Sequence, residues 1–172
     1  MPDPKTIRAL ILDVDGVLTD GSIFLDDRGV ETKRFNVRDG QGIATWLRLG
    51  FEVAIITKRA SRGEHEIGAV MHRARELGIK HVIQGARDKS AALDEVIRLT
   101  TIPPEHMAYM GDDWPDIAPM KRIGLAITVA DAAKEVQAIA HWTTTRTGGH
   151  GAVREAIERL LELKQLDPLT TT

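Results

Sequence analysis

The amino-acid sequence predicts a three-layer α/β fold built around a parallel β-sheet. Short apolar runs of strand length alternate with longer segments whose apolar residues recur at helical spacing, as in successive βαβ units. The chain has 172 residues, which is enough for one domain, so we expect residues 1–172 to form a single unit. The first apolar run, Ile7 to Val14, is nearly continuous, which predicts a strand buried on both faces at the sheet centre.

The elements that follow the first strand alternate, with one interruption. Residues 21–35 predict a β-hairpin insertion, because residues 22–25 and 30–35 flank the turn Asp26-Asp27-Arg28-Gly29. Asp39 is placed to cap a helix over residues 40–49, and Asp131 to cap a helix that ends near residue 140. The other predicted elements are strands at 52–57, 81–83, 108–110, 124–128 and 142–143, helices at 64–77, 89–100 and 152–164, and a flexible tail at about 165–172. This is a Rossmann-like order of elements.

Composition and charge exclude several classes of function. Hydrophobic residues are 42% and charged residues 28% of the chain, as in ordinary globular proteins. The net charge of -2 gives no field that would hold a polyanion, so we expect no nucleic-acid partner. Without cysteine, disulfides, thiolate metal sites and cysteine nucleophiles are excluded. No apolar run is long enough to span a bilayer and no secretory segment precedes Ile7, so we expect no membrane association and a cytoplasmic location.

Polar residues with chemical potential follow the predicted strands. In an open α/β sheet, ligands bind beyond the carboxyl ends of the strands, where such residues meet. Four segments contribute to this edge: Asp13 and Asp15 after the first strand, Thr57-Lys58-Arg59 after the second, Lys89 at a helix start, and Gly111-Asp112-Asp113-Trp114-Pro115-Asp116 after a later strand. Carboxylates crowded at one site repel each other unless a cation neutralises them. Oxygen ligands without a zinc-type histidine spacing favour Mg²⁺.

Two neighbouring carboxylates suit a phosphoryl transfer in two steps. Of Asp13 and Asp15, one can attack phosphorus while the other gives a proton to the leaving oxygen and then activates water. A hydroxyl at Thr57 and an ammonium at Lys89 can hold the phosphoryl oxygens, whose charge must be stabilised during transfer. The residues therefore predict a metal-dependent phosphatase.

These four motifs, in this order, resemble those of the haloacid dehalogenase-like phosphohydrolases. The resemblance implies that Asp13 is the nucleophile and Asp15 the general acid/base, and that Mg²⁺ binds the carboxylates of Asp13 and Asp112 and the main-chain carbonyl of Asp15. It also implies that Asp113 and Asp116 support the site. Receiver domains, which also gather acidic residues around Mg²⁺, place their acidic pair first in the chain, so motif order argues against them.

A closer resemblance, to the 3-deoxy-D-manno-octulosonate 8-phosphate (KDO 8-phosphate) phosphatases, extends over nearly the whole chain. The segments that carry it are residues 13–21, 35–40, 111–113 and 148–155. Between Asp15 and Thr57 the sequence has room for a hairpin and a helix but no cap domain. The resemblance implies a homotetramer assembled through the hairpins, and a neighbouring subunit that helps to enclose a phosphorylated sugar acid. Ile23, Leu25 and Val30 are then candidate interface residues.

The predicted substrate site contains two departures from this family. Lys58 stands where the family has glycine, and residues 62–69 form a longer segment than usual. Arg59 matches the position that meets the substrate carboxylate, and Lys58 and Gly149 are further substrate-binding candidates. Gly148-Gly149-His150-Gly151 could cradle a phosphate at the next helix, or act as a linker. The main prediction is a KDO 8-phosphate phosphatase of lipopolysaccharide precursor synthesis. A phosphatase of nine-carbon keto sugar acid 9-phosphates and a catalytically silent oligomerisation module are the alternatives.

Overall fold

A computed structural model describes residues 3–60 and 68–169, and it contains a parallel six-stranded sheet flanked by helices. The strands are β1 (Ala9–Leu12), β2 (Phe24–Leu25), β3 (Glu31–Thr32), β4 (Glu52–Ile56), β5 (His81–Ile83), β6 (Met107–Met110), β7 (Leu125–Thr128) and β8 (Trp142–Thr143). The order in the large sheet is β5-β4-β1-β6-β7-β8, and every neighbouring pair is parallel. The predicted three-layer parallel α/β fold is confirmed.

Within residues 3–60 and 68–169, six α-helices form the two outer layers. They are α1 (Val37–Arg48), α2 (Ala69–Leu77), α3 (Lys89–Thr100), α4 (Trp114–Met120), α5 (Lys134–Gln137) and α6 (Ala152–Leu163). Helix α1 contacts α2 and α6, whereas α4 contacts α3 and α5. No cap domain lies among the described residues, since only a helical turn at Val14–Leu18 and the hairpin separate β1 from α1. None of these helices is long and apolar enough to cross a lipid bilayer.

Strand β1 occupies the centre of the sheet and fixes the position of the site. Its four residues, Ala9–Leu12, are all buried, as their continuous apolar sequence predicts. It pairs with β4 on one side and β6 on the other. From β1 the chain passes to β4 and β5 on one side and then returns to β6 on the other, so strand order reverses at β1. A crevice therefore opens at the carboxyl end of β1, where α/β proteins bind ligands.

The hairpin is a separate two-stranded sheet between β1 and α1. Strands β2 and β3 are antiparallel, with Phe24 opposite Thr32 and Leu25 opposite Glu31. The Asp26 side chain accepts hydrogen bonds from the N–H groups of Arg28 and Val30, and Gly29 adopts a positive φ of 76° in the turn. The predicted hairpin at 21–35 is confirmed, with strands of two residues each. The side chains of Ile23, Phe24 and Leu25 are exposed.

Two predicted helix caps are wrong, because each carboxylate caps or braces a different part of the fold. Helix α1 begins at Val37 with Asn36 as its N-cap, and the buried Asp39 accepts hydrogen bonds from the N–H groups of Gly151 and Arg154 at the start of α6. Asp131 accepts instead from the Gly148 N–H. Helix α4 was not predicted, since its seven residues include two prolines.

The longer segment predicted next to the substrate site falls largely outside the described residues. Of residues 62–69, only Gly68 and Ala69 are described. Of the helix predicted at 64–77, residues 69–77 are confirmed as α2, whereas Gly68 has an extended backbone and is the N-cap, so the prediction is wrong at that residue. Of the tail predicted at about 165–172, residues 165–169 are described. The carbonyl of Pro168 there accepts a hydrogen bond from Arg48 at 2.6 Å.

Candidate active site

A cleft of about 280 Å³ lies at the carboxyl ends of β1, β4 and β6. It is lined by nine of the ten predicted site residues, which come from the four segments identified in the sequence. These are Asp13, Asp15, Thr57, Lys58, Arg59, Lys89, Asp112, Asp113 and Asp116. Residues up to about a hundred positions apart meet here because parallel strands direct their carboxyl ends to one edge of the sheet.

A buried lysine joins two aspartates at the base of the cleft. Asp13 follows β1, and one of its oxygens accepts a hydrogen bond from the Val14 N–H at 2.7 Å. Lys89, the first residue of α3, places its ammonium 2.7 Å from Asp13 Oδ2 and 2.7 Å from Asp116 Oδ1. Burial alone lowers the pKa of Lys89, but the two carboxylates outweigh it and hold that pKa above its ordinary value. The ammonium of Lys89 is therefore positively charged and held in a fixed position at the base of the cleft.

The carboxylate of Asp112 lies in the same cleft, and one of its oxygens has no hydrogen-bonding partner in the part of the chain that the structure describes. Its Oδ1 atom is buried and accepts no hydrogen bond from the described residues. The carboxylate packs against Gly16, at which a Cβ atom would lie 2.1 Å from Asp112 Oδ2. Burial and the neighbouring Asp13 and Asp116 raise the pKa of Asp112 to about 8, and burial with Asp116 raises the pKa of Asp13 to about 7. The unbalanced negative charge favours a bound cation.

The hydrogen bonds of these three acidic residues show which of their carboxylates can bind a metal ion. Asp13, Asp112 and Asp116 each offer a carboxylate oxygen within 4.8 Å of the others. Asp116, however, is fully buried, and each of its oxygens already accepts two hydrogen bonds. Its Oδ1 accepts from Lys89 and from the Tyr109 hydroxyl, and its Oδ2 from the N–H groups of residues 112 and 113. Asp13 and Asp112 are the carboxylates that fit a hard cation such as Mg²⁺.

The hydroxyl of Tyr109 was missed by the sequence analysis. Tyr109 is fully buried in β6, and its hydroxyl donates to Asp116 Oδ1 at 2.8 Å. Burial and the adjacent Asp116 raise the pKa of Tyr109 well above its ordinary value, which keeps the hydroxyl protonated as a donor. A tyrosine in an otherwise apolar strand gives no sequence signal, because buried strands commonly contain aromatic residues.

The hairpin supplies two further residues that the sequence analysis missed. Lys33 extends from the end of β3 to Asp15, with its ammonium 2.5 Å from Asp15 Oδ1 and 3.1 Å from Glu31 Oε1. Glu31 also accepts a hydrogen bond from Arg59 Nη2 at 2.8 Å, and Arg59 Nε lies 3.6 Å from Asp15 Oδ2. These four side chains form a closed ring of alternating charge. The spacing of Glu31 and Lys33 places both side chains on one face of an extended chain, which is the signal that could have identified them.

The remaining predicted residues occupy distinct positions. Thr57 is buried, and its main-chain N–H and carbonyl are bonded to Ile83 and Ala86, which fixes the loop after β4. Lys58 and Asp113 are exposed at the mouth of the cleft. The side chain of Lys58 is therefore accessible to a ligand at the mouth of the cleft.

Gly149 is the one predicted site residue that does not line the cleft. Its N–H donates to the Val17 carbonyl at 2.9 Å, so it braces the turn that follows β1. At the neighbouring Gly148, a Cβ atom would lie 1.8 Å from the Gly16 carbonyl oxygen, so only glycine permits this close approach. The predicted phosphate cradle at the start of α6 is wrong, because the Asp39 carboxylate already accepts hydrogen bonds from N–H groups there.

Comparison with known proteins places this geometry in a known sequence family. Residues 70–157 match the model of the haloacid dehalogenase-like hydrolases. The chain is 45% identical over 157 residues to the 3-deoxy-D-manno-octulosonate 8-phosphate phosphatase of Escherichia coli strain K12, covering 91% of this chain and 80% of that protein. Against the Salmonella typhi phosphatase of the same name, the identity is 44% over 161 residues, covering 94% of this chain and 82% of the relative.

Solved structures agree with these sequence matches. The 3-deoxy-D-manno-octulosonate 8-phosphate phosphatase of Yersinia pestis superposes with a TM-score of 0.88 at 42% identity, covering 95% of this chain and 85% of that one. The phosphatase of Moraxella catarrhalis, solved with magnesium, phosphate and KDO, gives a TM-score of 0.88 at 40% identity. That match covers 95% of this chain and 90% of the other.

Proposed function

Because this chain belongs to the 3-deoxy-D-manno-octulosonate 8-phosphate phosphatases, a family of haloacid dehalogenase-like hydrolases, we propose that it hydrolyses KDO 8-phosphate to KDO and inorganic phosphate. It is a phosphoric monoester hydrolase and its cofactor is Mg²⁺. The observation that carries the proposal is the meeting of Asp13, Asp15, Lys89 and Asp112 in one cleft. Each of these residues offers a group that phosphoryl transfer needs.

The Mg²⁺ ion would be held by the carboxylates of Asp13 and Asp112 and by the main-chain carbonyl of Asp15. The partnerless Oδ1 of Asp112 supports this assignment, because a buried carboxylate oxygen without a donor is costly unless a cation approaches it. When bound, the ion offsets the charge of the acids and stabilises negative charge on the phosphoryl oxygens. Asp116 and Asp113 support the site without contacting the ion, and Asp116 does so by holding Lys89.

In the first half-reaction, an oxygen of Asp13 attacks phosphorus and a bond forms between them. The bond between phosphorus and the C8 oxygen of the sugar breaks, and Asp15 gives its proton to that oxygen as it leaves. Lys89 lies 2.7 Å from Asp13 Oδ2. Its positive charge stabilises the carboxylate before the attack and the negative charge on the phosphoryl oxygens afterwards. Thr57 contributes a hydrogen bond to the same phosphoryl oxygens.

In the second half-reaction, Asp15 accepts a proton from a water molecule as that water attacks phosphorus. The bond between phosphorus and the Asp13 oxygen breaks, which releases phosphate and restores the carboxylate of Asp13. Asp15 ends the cycle protonated and ready for another leaving group, so proton balance is kept. The same phosphoryl group is transferred at the same place in both half-reactions. A single cation and one lysine can therefore stabilise its negative charge in both.

Recognition of the sugar acid would fall to exposed groups around the open cleft. Arg59 can pair with the substrate carboxylate, and Lys58 adds a second positive charge beside it. A site without a cap gives little enclosure, so we propose a homotetramer in which a neighbouring subunit covers the substrate. Gly149 would contribute to binding indirectly, by holding the turn after β1 through its hydrogen bond to the Val17 carbonyl. The exposed Ile23 and Leu25 of the hairpin support an interface there, since exposed apolar clusters commonly mark contacts. We further propose a cytoplasmic enzyme of lipopolysaccharide precursor synthesis, with no nucleic-acid or membrane partner.

A substrate panel tests the proposal and its alternatives. Phosphate release from KDO 8-phosphate, a nine-carbon keto sugar acid 9-phosphate and simple sugar phosphates is measured with Mg²⁺ and with a chelator. We expect metal-dependent release with the highest kcat/KM for KDO 8-phosphate, and at least about a 10³-fold loss in Asp13→Asn, because the amide is not a nucleophile. Preference for the nine-carbon compound would reassign the substrate. Undiminished turnover by Asp13→Asn would refute the nucleophile, and no turnover of any phosphate ester would favour a silent module.

A further inference from the structure

Lys33 makes the closest contact to the proposed general acid/base, although it belongs to the hairpin and not to any of the four motif segments. Its side chain is 2% exposed, and its ammonium contacts only the carboxylates of Asp15 and Glu31 among the described residues. A buried ammonium is stable only when paired and hydrogen-bonded, so its position is fixed by those two acids. Lys33 is therefore a rigid contact point and not a mobile surface charge.

The two oxygens of Asp15 are in different environments. Oδ1 accepts from Lys33 at 2.5 Å, whereas Oδ2 is buried and has no hydrogen-bond donor among the described residues. Arg59 Nε lies 3.6 Å from Oδ2, which is beyond hydrogen-bond distance. Lys33 thus fixes the rotation of the Asp15 carboxylate.

Glu31 fixes Lys33 from the opposite side. Its side chain is 8% exposed, and it pairs with Lys33 at 3.1 Å and with Arg59 at 2.8 Å. Because Glu31 lies in β3 and Arg59 follows β4, the pair also ties the hairpin to the rim of the cleft. A carboxylate that must transfer protons twice in each cycle needs such support, since small misplacements of a catalytic group cost large factors in rate.

We propose that Lys33 is a positioning residue: it clamps the Asp15 carboxylate in the orientation from which Asp15 serves the leaving oxygen and then water, with Glu31 holding Lys33 in place. This inference rests on the proposed phosphatase function. It assigns no chemical step to Lys33, which keeps its proton throughout. Its loss should therefore slow the steps that need Asp15 and spare those that do not.

The test compares Lys33→Met with wild type, with Asp15→Asn and with Lys121→Met, a control that removes an exposed lysine that does not line the cleft. With KDO 8-phosphate, we expect Lys33→Met to lower kcat by roughly 10²- to 10³-fold, the scale of a misplaced general acid, with KM changed by less than about threefold. Lys33→Arg should recover part of the loss, because arginine keeps the charge but places its donors differently. Lys121→Met should match wild type.

The leaving group separates positioning from a structural role. An aryl phosphate such as p-nitrophenyl phosphate releases a stable phenolate and needs little protonation, so its first step should be spared in Lys33→Met. Stopped-flow measurement should then give a burst of nitrophenolate approaching one equivalent per site, followed by slow turnover as water attack waits on Asp15. In rapid-quench experiments with KDO 8-phosphate, the first step itself should be slow.

Each outcome decides the question. Thermal unfolding shows which variants fold, and if Lys33→Met does not, the same leaving-group comparison is made on Lys33→Arg. A folded variant with kcat within about threefold of wild type would overturn the inference, as would equal slowing of the first step for aryl and sugar phosphates. If wild type releases phosphate from no ester, the proposed function fails. If wild type is active and Asp15→Asn is not, a normal Lys33 variant refutes only the clamp.

Discussion

Replacing Asp112 with asparagine should stabilise the protein in the absence of metal while removing its response to Mg²⁺. Asp112 shares a buried cluster with Asp13 and Asp116, with carboxylate oxygens within 4.8 Å of one another. Among the described residues, Lys89 is the only cation that is bonded directly to carboxylates of this cluster. Asparagine keeps the shape of the side chain and removes one of the three negative charges. A residue that functions by binding a cation is thus expected to destabilise the fold when that cation is absent.

The size of this effect follows from the distances. Two unit charges about 5 Å apart interact by about 3 kcal/mol at an effective dielectric constant of about 20. Asp112 faces two like charges, and Lys89 offsets roughly one of them. Partial protonation lowers the cost further, because the pKa of Asp112 is raised to about 8 by burial and by Asp13 and Asp116. A net gain of about 1–3 kcal/mol remains, or roughly 3–10 °C in Tm for a domain of this size.

The pH dependence gives an independent signature. The pKa of Asp112 is about 8 in the folded protein, against 3.8 for a free aspartate side chain. A raised carboxyl pKa means that the folded state binds more protons, so stability falls as pH rises through this window. Without metal, the Tm advantage of Asp112→Asn should be small near pH 4, grow as pH rises, and level off above about pH 8. The control Asp27→Asn, an exposed carboxylate in the hairpin turn, should follow wild type throughout.

The assay is thermal unfolding in chelator and in excess Mg²⁺. Wild type should gain about 3 kcal/mol at a Mg²⁺ concentration about one hundred times its Kd, and Asp112→Asn should gain little, because a neutral amide is a weaker ligand for a hard cation. The reasoning is refuted if Asp112→Asn is less stable than wild type in chelator, or if Mg²⁺ stabilises both proteins equally. The first result would mean that the carboxylate is satisfied without a cation, and the second that the ion binds elsewhere.

Three further substitutions test the supports of the site. Gly16→Ala should abolish Mg²⁺ stabilisation and activity, because φ is +88° and the new Cβ would lie 2.1 Å from Asp112 Oδ2; metal titration followed by thermal unfolding checks this. Tyr109→Phe should cost about 1–2 kcal/mol in chemical denaturation, because Asp116 loses one of its buried donors. Asp39→Ala should cost about 1–2 kcal/mol in the same assay, because two N–H groups at the start of α6 lose their acceptor while the cleft stays intact, so kcat should change little.

The strands and most helices could be predicted because each is encoded in adjacent residues. The continuous apolar run of β1 and the strand at His81–Ile83 have the predicted positions, and α3 spans Lys89–Thr100 as expected. Helix α4 was not predicted because it is too short for a helical spacing of apolar residues to be recognised. It also begins with a capping arrangement inside an acidic loop. Long elements can therefore be predicted from the local sequence pattern better than short ones.

Capping partners could not be predicted for a different reason. An aspartate near a helix start is ambiguous in sequence, because its carboxylate satisfies any N–H groups that tertiary packing brings near it. Asp39 lies inside the first turn of α1 yet caps α6, more than a hundred residues later in the chain. The contact exists because α1 and α6 pack together, and that packing is a property of the whole fold. Strand-end residues escape this ambiguity, since parallel pairing alone brings them together.

The hairpin explains why the site could be only partly predicted, because its exposed apolar residues and its charged residues have different roles. Ile23, Phe24 and Leu25 are 54%, 50% and 61% exposed, while the side chains of Glu31 and Lys33 are nearly buried against the cleft. A two-stranded sheet of this size is marginally stable alone, so its charged contacts to Asp15 and Arg59 need the hairpin held in place. Burial of these exposed apolar side chains by a second copy would provide that restraint. Assembly and catalysis would then be coupled through one short element, because loosening the interface would also loosen the clamp on Asp15.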